Sequence, residues 1–241
     1  MISWVGFDAD DTLWHSEHHF MASHDLFCEI VRPFLDGADD PDAVARAHLA
    51  ETEIANIPPF GYGLKGATLS MIETAMRVSD HRIDASQIQR LIDRAKEMAV
   101  HPVDLFDGVD DVLDALGGLR LALITKGDLL DQRRKIDESE LATRFDAVEI
   151  IHEKNVATYG EVFRRHGIEP SRFVMIGNSI RSDVLPVLEL GGWAILVPFA
   201  DTWAHEQADP PLGHPRFIEV TALRDVVDAI ARITHTGGRV D

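Results

Sequence analysis

The sequence predicts an α/β protein: a doubly wound, parallel, Rossmann-like sheet into which a small all-helical domain is inserted. Short apolar runs of strand length recur along the chain, and helix-like stretches separate most of them, which is the alternation of a parallel sheet with helices on both faces. The first two runs are too far apart for an ordinary crossover, so the segment between them must hold structure of its own.

The first run, Ile2–Phe7, leads directly into the carboxylates of "DADDT", Asp8 to Thr12. From Trp14 to about Val103 the pattern is helical. Helices are expected around Phe20–Arg32 and Asp42–Ile54. In "TLSMIETAMRV" the residues Leu69, Ile72, Ala75 and Met76 share a face, and in "SQIQRLIDRAKEMA" so do Ile88, Leu91, Ile92, Ala95 and Ala99. "DGADDP" (Asp36–Pro41) and "IPPFGYG" (Ile57–Gly63) are expected to punctuate these helices. Residues 14–103 are therefore read as the inserted helical domain, and residues 1–13 with 104–241 as the α/β core. A helix from Gly108 through Leu116 returns the chain to the sheet, and further strands follow at Leu119–Thr125, Ala147–Ile151, Phe173–Ile176 and Trp193–Val197. Gly117-Gly118 and Gly191-Gly192 read as turns before strands, and no Gly-rich nucleotide fingerprint opens a helix after the first strand. The closing stretch His235–Asp241 is expected to fray.

Composition narrows the function. The 241 residues carry 23 basic against 41 acidic side chains, a formal net charge of −18, which repels polyphosphate backbones. Nucleic acid and anionic membrane surfaces are thus disfavoured as partners, and an anionic substrate would need local positive charge. The single cysteine, Cys28, cannot form an internal disulfide, and neither a basic leader nor a long apolar run is seen near Met1. A cytoplasmic protein is expected, with its oligomeric state open.

In open parallel sheets ligands sit outside the carboxyl ends of the strands, and polar residues collect at those ends here. The first strand ends in Asp8-Ala9-Asp10 and the second in Thr125-Lys126-Gly127-Asp128. The third is followed by Glu153-Lys154-Asn155, and the fourth by Gly177-Asn178-Ser179-Ile180-Arg181-Ser182-Asp183. Carboxylates, a hydroxyl and amines on one sheet edge suit a phosphate held by a cation and a lysine, with carboxylates to bind the metal and do the chemistry.

On these residues the chain resembles the haloacid dehalogenase-like (HAD) hydrolase superfamily along nearly its whole length. The family's first motif, Asp-x-Asp-x-Thr, stands as "DADDT", its second as Thr125, its third as Lys154 and its fourth as Gly177 to Asp183. The helical insertion between motifs one and two is similar to the family's cap domain, which closes over the substrate. The resemblance implies a magnesium-dependent phosphatase acting on a small phosphorylated metabolite. Asp8 would attack phosphorus and become an aspartyl-phosphate, and Asp10 would protonate the leaving alcohol and then take a proton from water. Thr125 and Lys154 would hold the phosphoryl group, and Lys126 would add a substrate contact. Asp8, the backbone carbonyl of Asp10 and Asp183 would supply the metal's oxygen ligands, with Asn178 beside them. The family's dehalogenases lack an aspartate at the position of Asp10, so its presence favours ester hydrolysis. Asp11 stands where many relatives have glycine and is read as part of the turn. The fourth motif usually starts Gly-Asp, whereas this chain reads "GNS": either magnesium is bound more weakly, or Asp183 carries more of the binding. Arg181 would restrain Asp183 or remain solvated.

Other readings compete at several positions. Lys126 and Asp128 also fit a solvated loop. His15, His18 and His19, near Glu17, suggest zinc, but His18 and His19 point ~100° apart on a helix, so a hinge helix is preferred. Trp203 and His205 fit rim contacts or a packed surface loop, and Trp14 fits core packing. Two rival functions stand beside the phosphatase: a 2-haloacid dehalogenase, and a phospho-ligand binding protein with weak or lost turnover, prompted by Asn178.

Overall fold

The computed structural model describes residues 1–236; the part of the expected fraying that concerns 237–241 lies outside the described residues. Six strands form one parallel sheet: β1 (Trp4–Phe7), β2 (Arg120–Lys126), β3 (Ala147–Ile151), β4 (Phe173–Gly177), β5 (Trp193–Leu196) and β6 (Phe217–Glu219). Their order is β3-β2-β1-β4-β5-β6, so the chain reverses its winding at β1.

Alternation along the strands builds a core on each face, because successive side chains point to opposite sides. Val5 and Phe7 of β1, Leu121 and Leu123 of β2, and Val174 and Ile176 of β4 face one side. There they pack with α5 (Val109–Ala115) and α9 (Val226–Thr236). Trp4, Ala122, Ile124, Phe173 and Met175 face the other side and meet Tyr159, Val162 and Phe163 of α7 (Val156–His166). Burial on both faces explains why these strands read as continuous apolar runs. Gly6 is required for close approach: a Cβ there would collide with the Phe173 ring and stand 2.9 Å from the Met175 sulfur.

The chain divides into two compact units. One comprises Met1–Glu17, Val103–Lys126 and Gln132–Asp241, and the other comprises His18–Pro102 with Gly127–Asp131. The second unit is built on α1 (Glu17–Val31), α2 (Pro41–Phe60), α3 (Leu64–Val78) and α4 (Ala85–Ala99) around Phe27, Val31, Leu49, Met71 and Leu91. The Asp40 side chain caps α2 by accepting from the Ala43 N–H (3.0 Å), and Pro41 sits in the first turn, where its missing N–H costs nothing.

Two elements differ from expectation. α2 does not stop before Pro58-Pro59 but continues to Phe60, and Gly61 (φ 73°) ends it with its N–H on the Ile57 carbonyl (2.8 Å). The prolines themselves lie in the last turn, and the carbonyls they deprive of a partner are those of Ile54 and Ala55. β6 is unforeseen, being a three-residue, partly exposed edge strand. Among the described residues no helix is long and apolar enough to cross a membrane.

Candidate active site at the winding reversal

β1 lies between β2 and β4, so its carboxyl end opens into the crevice where doubly wound sheets bind ligands. Asp8 is the first residue beyond it. Its N–H donates to the Ile176 carbonyl of β4 (2.9 Å), which extends the ladder by one residue and fixes the side chain at the edge. Lys154, only 4% exposed, comes from the turn before α7, where Asn155 and Thr158 form a capping box. Its ammonium donates to Asp8 Oδ1 (2.5 Å) and Asp183 Oδ1 (2.6 Å). The second Asp183 oxygen accepts from the Ser179 N–H (3.1 Å).

Asp183 reaches this point because residues Ile180–Val184 form a single π-helical turn, a distortion often found at functional sites. Its carboxylate lies directly over Gly177, where a Cβ would collide with it. Asn178 is half-buried and takes no part in the Lys154 bridge. Arg181 does not restrain Asp183; its guanidinium donates to the His205 carbonyl (3.0 Å).

Burial and the neighbouring Asp183 charge push the Asp8 carboxyl up to about 7 against the opposing pull of Lys154. Burial alone would lower the Lys154 pKa, but Asp183 and Asp8 outweigh it and hold the ammonium protonated. Tyr159 is fully buried, and its hydroxyl makes no well-formed hydrogen bond. Burial and the Asp183 and Asp8 charges push its ionisation well above 10.

Asp10 is held differently. Its Oδ1 accepts from Trp14 Nε1 (2.6 Å) and Lys135 Nζ (2.6 Å), and its Oδ2 accepts from Gln132 Nε2 (2.7 Å). Burial works to raise its pKa, yet the Lys135 charge and the bonds from Lys135, Gln132 and Trp14 together hold it below the usual carboxylate value. Thr125, on β2, donates to Gln132 Oε1 (3.3 Å), which ties the second motif to Asp10. Asp11 has φ 58°, and its carboxylate accepts from the N–H groups of Ser16 (2.9 Å) and Glu17 (3.0 Å), where α1 begins. The turn reading of Asp11 therefore has a physical content: it caps that helix.

Lys126 is paired instead of solvated. Its ammonium donates to Ser182 Oγ (3.0 Å) and to Glu206, with Glu153 at 3.6 Å. Asp128 pairs with Lys65 (3.0 Å) and accepts from the Leu130 and Asp131 N–H groups (3.1 Å each). The ring centroids of His18 and His19 lie 3.7 Å apart on α1, those of His15 and Phe106 lie 3.8 Å apart in a tilted contact, and Trp203 lies 4.9 Å from the His205 ring.

The structure thus brings Asp8, Lys154 and Asp183 together in one bridge, with Asp10 and Thr125 joined through Gln132. Sequence reasoning missed Gln132, Lys135, Tyr159 and Glu206, and it found Trp14 only as packing. Gln132 and Lys135 fall three residues apart on α6 (Leu129–Glu138), a spacing that puts both on one helix face and was legible in principle.

Among the described residues, no group of three or more His, Cys, Asp and Glu side chains is arranged as a metal cage. Two carboxylates aimed at one point nevertheless fit a hard divalent cation of the magnesium type, which takes one or two carboxylates plus water and substrate phosphate.

A doubly wound α/β protein with a carboxylate–lysine bridge at its winding reversal is the class that fold and site define. The chain belongs to the haloacid dehalogenase-like hydrolase family, whose sequence model matches residues 2–191. A glyceraldehyde 3-phosphate phosphatase of Methanothermobacter thermautotrophicus is 36% identical over 114 residues, 45% of this chain and 49% of that protein. The match thus spans about half the length of that relative. A haloacid dehalogenase-like family hydrolase from Xanthomonas campestris superimposes with a TM-score of 0.86 at 37% identity, covering 99% of both chains. A 2-haloacid dehalogenase from Pseudomonas syringae pv. Tomato DC3000 shares the fold at a TM-score of 0.61 and 21% identity, with 96% of this chain and 99% of that chain covered.

Proposed function

We propose that the protein is a magnesium-dependent phosphatase that hydrolyses a small phosphorylated metabolite through an aspartyl-phosphate on Asp8. The observation that carries this reading is the buried Lys154 ammonium bridging Asp8 and Asp183, with the Asp10 carboxylate two residues along the same turn. The resemblance to a glyceraldehyde 3-phosphate phosphatase supports a small phosphorylated substrate. The helical insertion, by its place between the first and second motifs, is read as the family's cap.

In this mechanism an Asp8 oxygen attacks phosphorus and the bond to the substrate oxygen breaks, which splits one displacement into two. Lys154 neutralises phosphoryl oxygens that would otherwise repel the attacking carboxylate. Thr125 would turn its hydroxyl from Gln132 Oε1 (3.3 Å) to donate to the same group. Asp10 exchanges the proton, giving it to the leaving alcohol and recovering it from the water that cleaves the aspartyl-phosphate. Magnesium, held by Asp8, Asp183 and the Asp10 carbonyl with Asn178 beside them, would supply further positive charge to the phosphoryl oxygens when bound.

The test is a panel of phosphate esters assayed with magnesium. Wild type releases phosphate and Asp8→Asn does not; turnover that survives Asp8→Asn or full chelation sinks the reading. Halide release from a 2-haloacid in chelator, without any phosphatase activity, would establish the dehalogenase instead.

A further inference from the structure

Three buried donors from two different segments converge on the partly buried Asp10 carboxylate. Trp14 is fully buried, Gln132 is 2% exposed and Lys135 is 8% exposed, and each directs a donor at the same side chain. Burying an ammonium and an indole N–H costs free energy unless each finds a partner, and Asp10 serves both. A carboxylate offers about four lone-pair sites. Oδ1 accepts two donors and Oδ2 accepts one, so the free acceptor site lies on Oδ2. The Gln132 amide is oriented by Thr125, whose hydroxyl donates to Oε1 (3.3 Å), so Nε2 is the atom left to face Asp10.

We infer that Trp14, Gln132 and Lys135 form a clamp of positioning residues that holds Asp10 as an acceptor, with one Oδ2 site free to take a proton from the water that cleaves the aspartyl-phosphate. The clamp serves the second half-reaction more than the first. It fixes the carboxylate's rotation and fills its other acceptor sites with protein donors, which leaves water a single place to bond. This rests on the phosphatase reading, because the water has a role only if Asp8 is phosphorylated.

The experiment uses 4-nitrophenyl phosphate, whose leaving group departs without a proton, so that the two half-reactions separate. Rapid mixing with magnesium follows nitrophenol release through the first turnover and the steady state, and acid quench measures phosphate on Asp8. In Lys135→Met and Gln132→Leu the ratio of steady-state to first-turnover rate is expected to fall ~100-fold, the lower end of general acid–base assistance, with phosphorylated enzyme accumulating. Lys135→Arg should recover part of the loss. A separate readout needs no turnover: the Trp14 indole N–H resonance should move in Lys135→Met and Asp10→Asn. Equal slowing of both phases, no change in either, or an indole signal unmoved by Lys135→Met overturns the clamp. Failure of wild type to release nitrophenol or to phosphorylate Asp8 overturns the phosphatase reading as well, so the two failures are distinct.

Discussion

Gly177 shows how little room a single residue leaves. It ends β4 beneath the Asp183 carboxylate, so any side chain there must displace a group that bonds both Lys154 and the Ser179 N–H. Gly177→Ala is expected to lower kcat/KM ~100-fold, the cost of moving a reacting group by about 1 Å, while circular dichroism stays native. Steady-state kinetics with magnesium check it, and an active alanine variant would show that Asp183 tolerates the shift. Lys154→Met removes the ammonium that bridges Asp8 and Asp183 and leaves two buried carboxylates facing each other. Breaking a buried pair in this way costs about 3–5 kcal/mol. If the carboxylates bind a cation, added magnesium should restore part of that loss, and denaturant titration with and without magnesium measures it. A deficit indifferent to magnesium would count against the metal assignment.

At the scale of elements, the turn Ile180–Val184 needs an external tie, since one π-helical turn is poorly stabilised by its own bonds. Glu206, from the segment that follows β5, supplies it. Its carboxylate accepts from Ser179 Oγ (2.8 Å), Ser182 Oγ and the Lys126 ammonium. Burial works to raise the Glu206 pKa, but Lys126 and the two hydroxyls outweigh it and hold it below the ordinary 4.5. The folded state therefore binds this proton less tightly than the unfolded state. The resulting stability is complete above the unfolded value and is lost as pH falls through the lowered folded one. Glu206→Gln should unfold more easily than wild type at pH 7, and the gap should close below about pH 4.5. Melting curves across that window test it; a pH-independent gap would assign the loss to geometry alone.

Legibility follows the range of the forces that made each element. β1 to β5 were readable because burial on both faces demands unbroken apolar runs such as "LALIT", and α4 because its stripe through Ile88 and Leu91 packs into a core; in α3 the buried stripe runs through Leu64, Thr68, Met71 and Ala75, while Leu69 and Met76 of the expected face are exposed. β6 carries no such demand at a partly exposed edge, and α2 runs on through Pro58-Pro59 to Phe60, with both prolines in its last turn. Asp8, Lys154 and Asp183 were found because each follows a strand at the same sheet edge. Glu206 carries no pattern in its neighbourhood, since it satisfies Lys126, a group distant in sequence, and the three-residue spacing of Gln132 and Lys135 marks a shared helix face without naming Asp10 as their partner. Such partners become visible only when topology has placed the strands.

For the molecule as a whole the dominant quantity is the charge of −18, which acts against compactness through self-repulsion. Surface pairs such as Arg32–Asp42 and Arg90–Glu29 join exposed side chains, and pairs of that kind contribute only ~0–1 kcal/mol each. The Debye length shrinks from about 30 Å at 10 mM salt to about 8 Å at 150 mM. Salt at that level therefore screens repulsion across the whole surface while weakening contacts that were worth little. The buried Lys154 pairs are screened far less, and the partly buried Lys135–Asp10 pair less than those at the surface. Repulsion should thus lose more than attraction, and stability should rise with salt. A gain of ~1 kcal/mol corresponds to about 2–4 °C in Tm for a chain of this size. Scanning calorimetry in sodium chloride from 10 to 150 mM, repeated with choline chloride to separate screening from specific cation binding, checks the sign. A Tm that falls with salt would mean that the exposed ion pairs outweigh the net charge.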